Sequence, residues 1–400
     1  MKNIELPKDW KMDTLDNATS IIRNGANIKQ GEDGGYPITR IETISNSFID
    51  INKFGYAGIE ELGKYKDYLL QQGDILMSHI NSEKHLGKVA IYENCNIEII
   101  HGMNLLCIRF NNEIILSKYA YYFLNTKRFK IQLPRITKKS VNQASFSIND
   151  LKNLKIIIPP LEIQKKIINV LEKSEKALEK RMESIKLLDE LVKSRFIEMF
   201  GDPIRNPMNL LKAELGKVGE WKTGGTPSRS NNEYYNGNIP WLSSGELNNM
   251  YCFKSVEMIT ELAIKESSAK IIEKGSLLLG MYDTAALKST INMIECSCNQ
   301  AIAYSKLDEK LVNTIYVYYC IQIGKDFYKS QQRGVRQKNL NLSMIKGLEI
   351  LMPDLKRQNQ FADFINQVDK LKFEMQKSLE EMENNFNSLM QRAFKGELFN

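Results

Sequence analysis

The sequence predicts an α+β protein: two mixed α/β units separated by two long, coiled-coil-like antiparallel helices, arranged as an internal pseudo-twofold repeat. Three observations predict it. The stretch "IIIPPLEIQKKIINVLEK" (156–173) returns as "ILMPDLKRQNQFADFINQ" (350–367), with Pro159 matching Pro353, Leu161 matching Leu355 and Gln164 matching Gln358. The offset is 194 residues, close to half of the 400-residue chain, so the repeat organises everything else. After each of these prolines apolar residues recur at helical spacing. Before each lie short strand-like runs mixed with short helical ones.

The first unit, 1–158, contains "GDILMSHI" and "NLLCIRF" as strands and "SKYAYYFLNT" as a helix, and closes with the β-rich run "LKNLKIIIP". Proline donates no ladder hydrogen bond but is well placed at a helix start. A first long helix follows within 159–202. Leu171, Leu178, Ile185, Val192 and Met199 step by seven, with Ile168, Met182 and Phe196 on the neighbouring flank. From 161 to 200 such a helix is ~60 Å long. Gly201, Asp202 and Pro203 stop it. The second unit, 203–352, repeats the scheme with "GSLLLGMY", "AIAYSKL" and "NTIYVYYCIQ". The second long helix occupies 353–400. Phe361, Val368, Met375, Met382 and Leu389 step by seven, flanked by Ile365, Leu379, Phe386 and Ala393, and Lys395-Gly396 provides the stop. Neither stripe can be buried alone, so the two helices are expected to pack on each other, antiparallel because a globular unit separates them, the alternative being that each packs on its own domain. Weaker echoes relate the units themselves: "VNQASFSINDLKNLKI" (141–156) to "VRQKNLNLSMIKGLEI" (335–350), and "GYPITRIETI" (35–44) to "NIPWLSSGEL" (238–247).

Composition narrows the function. Apolar residues make up 42% of the chain, enough for folded cores. No run of about 18 apolar residues is present to span a membrane, and "MKNIELPKDWK" has no apolar core of a secretory signal. Six scattered cysteines read as reduced thiols in a cytoplasmic protein. Catalytic spacings are missing. Pro159-Pro160 invites comparison with the Asn-Pro-Pro-aromatic loop of amino-methyltransferases, but Ile158 precedes it and Leu161 follows. There is no phosphate-binding G-x-x-x-x-G-K-[ST]. "TGGTPSR" (223–229) reads as a turn whose backbone N–H groups can touch phosphates. His79, His85 and His101, the only histidines, lack the partners of a triad or zinc site, and Cys296-x-Cys298 has no second pair. No catalytic residue, metal site or cofactor is therefore expected in this chain.

The net charge of +7 lies almost wholly outside the long helices, which carry nine basic against eight acidic residues over 161–201 and seven of each over 355–400. It gathers just before each helix. "KIQLPRITKKSVNQ" (130–143) holds Lys130, Arg135, Lys138 and Lys139, with Asn142 and Gln143; "KDFYKSQQRGVRQK" (325–338) holds Lys325, Lys329, Arg333, Arg336 and Lys338, with Gln331, Gln332 and Gln337. Such cations contact phosphates, and amides pair with adenine edges. Further DNA-binding candidates lie in matching turns: Arg23, Asn27, Lys29 and Arg40 in the first unit, and Lys222, Thr226, Ser228 and Arg229 in the second. His79, Asn81 and Lys84 follow one strand, and Tyr282 and Lys288 follow its counterpart.

The order of globular unit, "IPPLEIQKKI" helix, globular unit, "MPDLKRQNQF" helix resembles the specificity subunit of Type I restriction–modification systems over nearly the whole chain. The helix end "RFIEMFGDP" and the pair "TGGTPSR"/"IPWLSSGEL" carry the resemblance further. The first unit departs from that pair with "RNGANIKQ" and "YPITRIETI", and the second junction has Pro353-Asp354 in place of Pro159-Pro160. The resemblance implies two target-recognition domains, each reading one half of a split double-stranded DNA site, with the conserved helices setting the gap. It also implies two modification subunits that hold S-adenosylmethionine themselves, optional restriction motor subunits, and no catalysis by this chain. The alternatives are a DNA methyltransferase or nuclease with an active site of unfamiliar spacing, and a structural protein that dimerises through its helices.

Overall fold

A computed structural model describes residues 6–45, 47–93, 96–141, 143–282, 285–330 and 339–399. The chain divides into two compact units: Met1–Arg181 with Ser378–Asn400, and Met182–Lys377. Each unit contains part of both long helices.

In the first unit, Lys11–Thr14 pairs antiparallel with Lys155–Ile158, the strand that leads into Pro159. An antiparallel sheet runs in the order Thr19–Asn24, Leu105–Phe110, Ile75–Ser78, Val89–Ile91. Its two middle strands, "LLCIRF" and "ILMS", are buried almost throughout, as continuous apolar runs should be. Helix Ser117–Asn125 covers one face, and Tyr119, Tyr122 and Phe123 sink into the core beside Leu15, Ile75, Ile108 and Ile156. One ion pair lies within this core: Arg109 grips the fully buried Asp74 through two 2.7 Å hydrogen bonds, a geometry that satisfies both carboxylate oxygens.

The second unit repeats the plan. Lys212–Glu214 pairs with Glu349–Leu351. The sheet order is Lys222–Thr223, Ile302–Ser305, Leu277–Gly280, Ser289–Asn292, with Tyr251–Cys252 added in parallel at the edge. Helix Thr314–Ile323 stands where Ser117–Asn125 stands in the first unit. Tyr316 donates to the Leu351 carbonyl at 2.9 Å, as Tyr119 donates to that of Ile157 at 3.0 Å. The units differ in their insertions. The second has a three-stranded sheet of Glu257–Ile259, Tyr235–Leu242 and Ser297–Cys298; the first has a small parallel pair, Glu32–Gly35 with Ala57–Ile59.

The long helices span Leu161–Phe200 and Leu355–Ala393. Both junctions are fixed by a fully buried glutamine. Gln164 Nε2 donates to the carbonyls of Pro159 (2.8 Å) and Ile114 (3.1 Å), while its Oε1 accepts from the Leu116 amide (2.8 Å). Gln358 does the same with Pro353, Leu311 and the Asn313 amide. The repeated Pro-x-Leu-x-x-Gln pattern thus has a mechanical cause. Each helix ends on a left-handed glycine, Gly201 (φ 75°) or Gly396 (φ 79°), where a side chain would be strained.

Inside the second unit the two helix segments run in opposite directions. Phe200 and Phe196 pack edge-on against Phe361, Arg195 lies over Phe364, and Lys372 pairs with Asp189 at 2.6 Å. Inside the first unit Ile167 and Leu171 share a core with Ala393 and Phe394. Burial is deepest at these ends. Leu178, Ile185, Met375 and Met382 are only half-buried, and Met182, expected on the apolar flank, is 49% exposed. The seven-residue stripe therefore serves mainly the globular cores at its two extremities. Among the described residues no helix is long and apolar enough to cross a membrane.

Candidate nucleic-acid interface

In the first unit two separated stretches of sequence meet. Ala144–Ser145 pairs with Ile80–Asn81 on one side and with Lys138–Lys139 on the other, forming a three-stranded sheet that places Asn81, Lys138, Lys139 and Gln143 together. The turn Glu83–His85 adjoins it, and Lys139 reaches Glu83 at 2.7 Å. Lys84, Arg135, Lys138 and Gln143 are exposed, and among the described residues their side chains have no partner. Lys88 donates to the Ser45 carbonyl at 2.6 Å, and its charge is felt by Lys130. The Lys130 ammonium is held below its ordinary range first by burial and then by the neighbouring Lys88 charge.

The second unit shows the same effect. Burial and the charges of Lys329 and Lys288 pull down the Lys325 ammonium, with Asp326 partly compensating. Lys288 donates to Asn248 at 2.8 Å, and Tyr282, exposed, bridges to Asn339. The rest of this basic stretch, Gln331, Gln332, Arg333, Arg336, Gln337 and Lys338, lies outside the described residues, as does Asn142 in the first unit.

Several sequence-predicted candidates are engaged elsewhere. Arg23 lies over the Tyr68 ring and donates to the Asp67 carbonyl, with its Nε buried, so it braces the sheet. His79 is buried against Phe146, and burial pushes its pKa down to about 4. The imidazole is neutral near pH 7 and cannot serve as a phosphate cation. The buried strand Ile75–Ser78 continues through it, which strand burial could have foretold. His101 is buried likewise, with a pKa of about 4, lowered first by burial and then by Arg23. Arg229 forms two hydrogen bonds to Glu257 (2.5 and 3.1 Å) and stacks on Tyr235 and Trp241. Thr226 bonds Gln300, Ser228 bonds Ser230, and Lys222 pairs with Glu220. The glycines of "TGGTPSR" are needed for close packing, because a Cβ on either would lie 2.3 Å from backbone atoms. Their amides donate to Ile302 and Cys298 carbonyls at 3.0 and 2.9 Å, so neither is free for a phosphate. Lys29 and Asn27 are exposed, and Arg40 lies 3.6 Å from Glu42. Sequence spacing did not single out His85 or Lys88, which line a pocket with Asn81, Glu42, Ile41 and Ile44. Their place in an exposed turn beside Asn81 was the available signal.

The two units share one plan, and in each a second lysine adds to burial in lowering an ammonium, Lys88 acting on Lys130 and Lys288 on Lys325. The model of one family, described as the Type I restriction modification DNA specificity domain, matches residues 7–187 and 209–384. The protein of Methanocaldococcus jannaschii assigned as the specificity subunit of type I restriction enzyme MjaX is 30% identical over 413 residues, covering 98% of this chain and 95% of that one. The Escherichia coli EcoR124I/EcoR124II specificity subunit is 25% identical over 275 residues, covering 64% of each. Among solved structures, a chain from a type I restriction–modification system assembly matches with TM-score 0.65 at 16% identity, over 98% of this chain and all of that one. The S subunit from M. genitalium matches with TM-score 0.54 at 14% identity, over 98% and 97%. These two likenesses show the fold. The chain belongs to the type I restriction–modification DNA specificity family: it is a specificity subunit, a recognition component and not an enzyme.

Proposed function

We propose that each unit grips one half of a bipartite double-stranded DNA site and that the long helices set the distance between the halves. The observation that carries this is the repeated plan of two units whose insertions differ, with basic residues at corresponding places, Lys88 and Lys130 in one and Lys288 and Lys325 in the other. Shared lysines supply phosphate affinity; different insertions supply two different sequences. Half-sites one turn apart lie ~34–36 Å from each other, and forty helical residues reach ~60 Å. Two recognition domains of one repeated plan suit a duplex whose halves are read from opposite strands. In this proposal two modification subunits dock on the helices and hold S-adenosylmethionine, and restriction motor subunits join them in a cytoplasmic complex.

The test is methylome sequencing of a host carrying this chain with its modification subunit. One bipartite motif with a fixed gap is expected, and a contiguous motif, or none, overturns the proposal. Calorimetric titration of the purified chain with S-adenosylmethionine addresses the rival methyltransferase, which requires tight binding by this chain alone.

A further inference from the structure

The strands Lys138–Lys139 and Ala144–Ser145 form a hairpin closed by mutual backbone hydrogen bonds between Ser140 and Gln143, at 2.8 and 3.4 Å. At its tip stands Val141, 99% exposed. A β-branched apolar side chain fully in water, flanked by two lysines on one strand and an exposed glutamine on the other, has no role in the fold. No acidic residue occurs in 130–143. Glu83 of the adjoining turn neutralises Lys139 at 2.7 Å, and Lys84, Arg135 and Lys138 remain exposed around it, so the surface near the tip keeps a net positive charge that attracts a polyanion. A two-stranded β-ribbon is one of the two elements that the DNA major groove admits, and the thymine 5-methyl is the apolar group displayed there.

From this geometry we infer that the 138–145 hairpin is the ribbon that the first unit inserts into the major groove, with the Val141 methyls against a thymine methyl. Lys138, whose side chain is exposed and without a partner among the described residues, contacts a flanking phosphate, and Gln143 faces an adjoining base edge. The inference rests on the DNA-reading function proposed above and adds the element, the groove and the base.

The test uses the full complex with its modification subunits and duplexes bearing the motif mapped for the wild type. Each thymine of the first half-site is replaced in turn by uracil, which removes only the methyl. One replacement should weaken wild-type binding about fourfold, the value of one buried methyl group. In Val141→Ala that same replacement should have no further effect, while Lys138→Ala should lower the salt slope and leave the thymine preference intact. Because Val141 is fully exposed, Val141→Ala and Val141→Ser leave the fold undisturbed, and thermal melting verifies this. If every uracil duplex binds like its thymine parent, or the penalty persists in Val141→Ala, the inference is wrong although sequence-specific DNA binding stands. If Val141→Ser weakens assembly with the modification subunits and leaves DNA affinity unchanged, the tip is a protein-docking point and the inference is likewise overturned. A wild-type complex with no sequence preference removes the underlying function as well.

Discussion

Replacing Gln164 by methionine keeps the side chain's length and volume but removes all of its hydrogen bonding. In the wild type the Leu116 amide, 2.8 Å from Oε1, has no other acceptor, and the carbonyls of Pro159 and Ile114 accept from Nε2. The site is fully buried, so water cannot replace the missing partner. An orphaned buried donor costs about 1–3 kcal/mol, and unpaired carbonyls cost somewhat less because they retain weaker interactions. The expected loss is therefore about 2–5 kcal/mol, confined first to the junction where strand Lys155–Ile158 turns into the helix. Gln358→Met should cost slightly less, because its bond to the Leu311 carbonyl is 3.5 Å long. Urea denaturation measures the total, and hydrogen-exchange mass spectrometry of peptides spanning 112–120 shows whether protection falls first around the Leu116 amide. A loss below about 1 kcal/mol, or unchanged exchange at 112–120, would refute the account of the glutamine as a junction clamp.

Other outcomes follow from the same features. Lys288→Ala with Lys325→Ala should weaken DNA binding and reduce the slope of log affinity against log salt by ~0.9 for each phosphate left without its cation; an unchanged slope across a salt series counts against the lysine patch. Inserting four residues after Ser184, about one helical turn, should lengthen the gap in the methylated motif, and an unaltered gap would end the idea that the helices set it. Arg336→Ala should weaken DNA binding, measurable by anisotropy titration. His79 and His101 are both held near pKa 4 by burial, whereas a free imidazole titrates near 6.5. Between those values the unfolded chain binds protons that the folded chain refuses. Stability of the first unit is thus full above about pH 6.5 and falls as pH drops toward 4, by up to ~1.4 kcal/mol per pH unit for each histidine. The second unit contains no histidine, so thermal melts at pH 5 and 7 should shift the first unit far more, and His79→Gln should flatten the difference by about half.

The long helices and their junctions were legible because proline, a buried glutamine and a terminal glycine each leave a local mark that repeats. The sheets were legible as apolar runs but not in their order, which depends on pairings between distant segments such as Ile75–Ser78 with Leu105–Phe110. Within the candidate interface, Lys138, Lys139 and Asn81 were found separately, but only folding shows that one strand joins them. That His79 is buried and Arg23 lies over Tyr68 was not legible, because a polar residue's chemistry does not reveal which way it faces. The glycines of "TGGTPSR" misled because close backbone packing and anion binding call for the same residue. Met182 fits a seven-residue stripe and is still exposed, since periodicity alone does not say where along a helix a partner surface is present.

The closing of the first unit by Ala393 and Phe394 bears on the order of synthesis. Phe394 packs against Tyr119 and Phe123, with ring centres 5.1 and 5.6 Å apart, and Gly396 lies against Pro7. On the ribosome, residue 394 emerges after the whole 182–377 unit, so the earlier-made domain must wait with two aromatic rings uncovered. At the usual elongation rate that interval is roughly 10–40 s. The domain translated second is the first able to complete its core, and the N-terminal half keeps apolar surface open for longer.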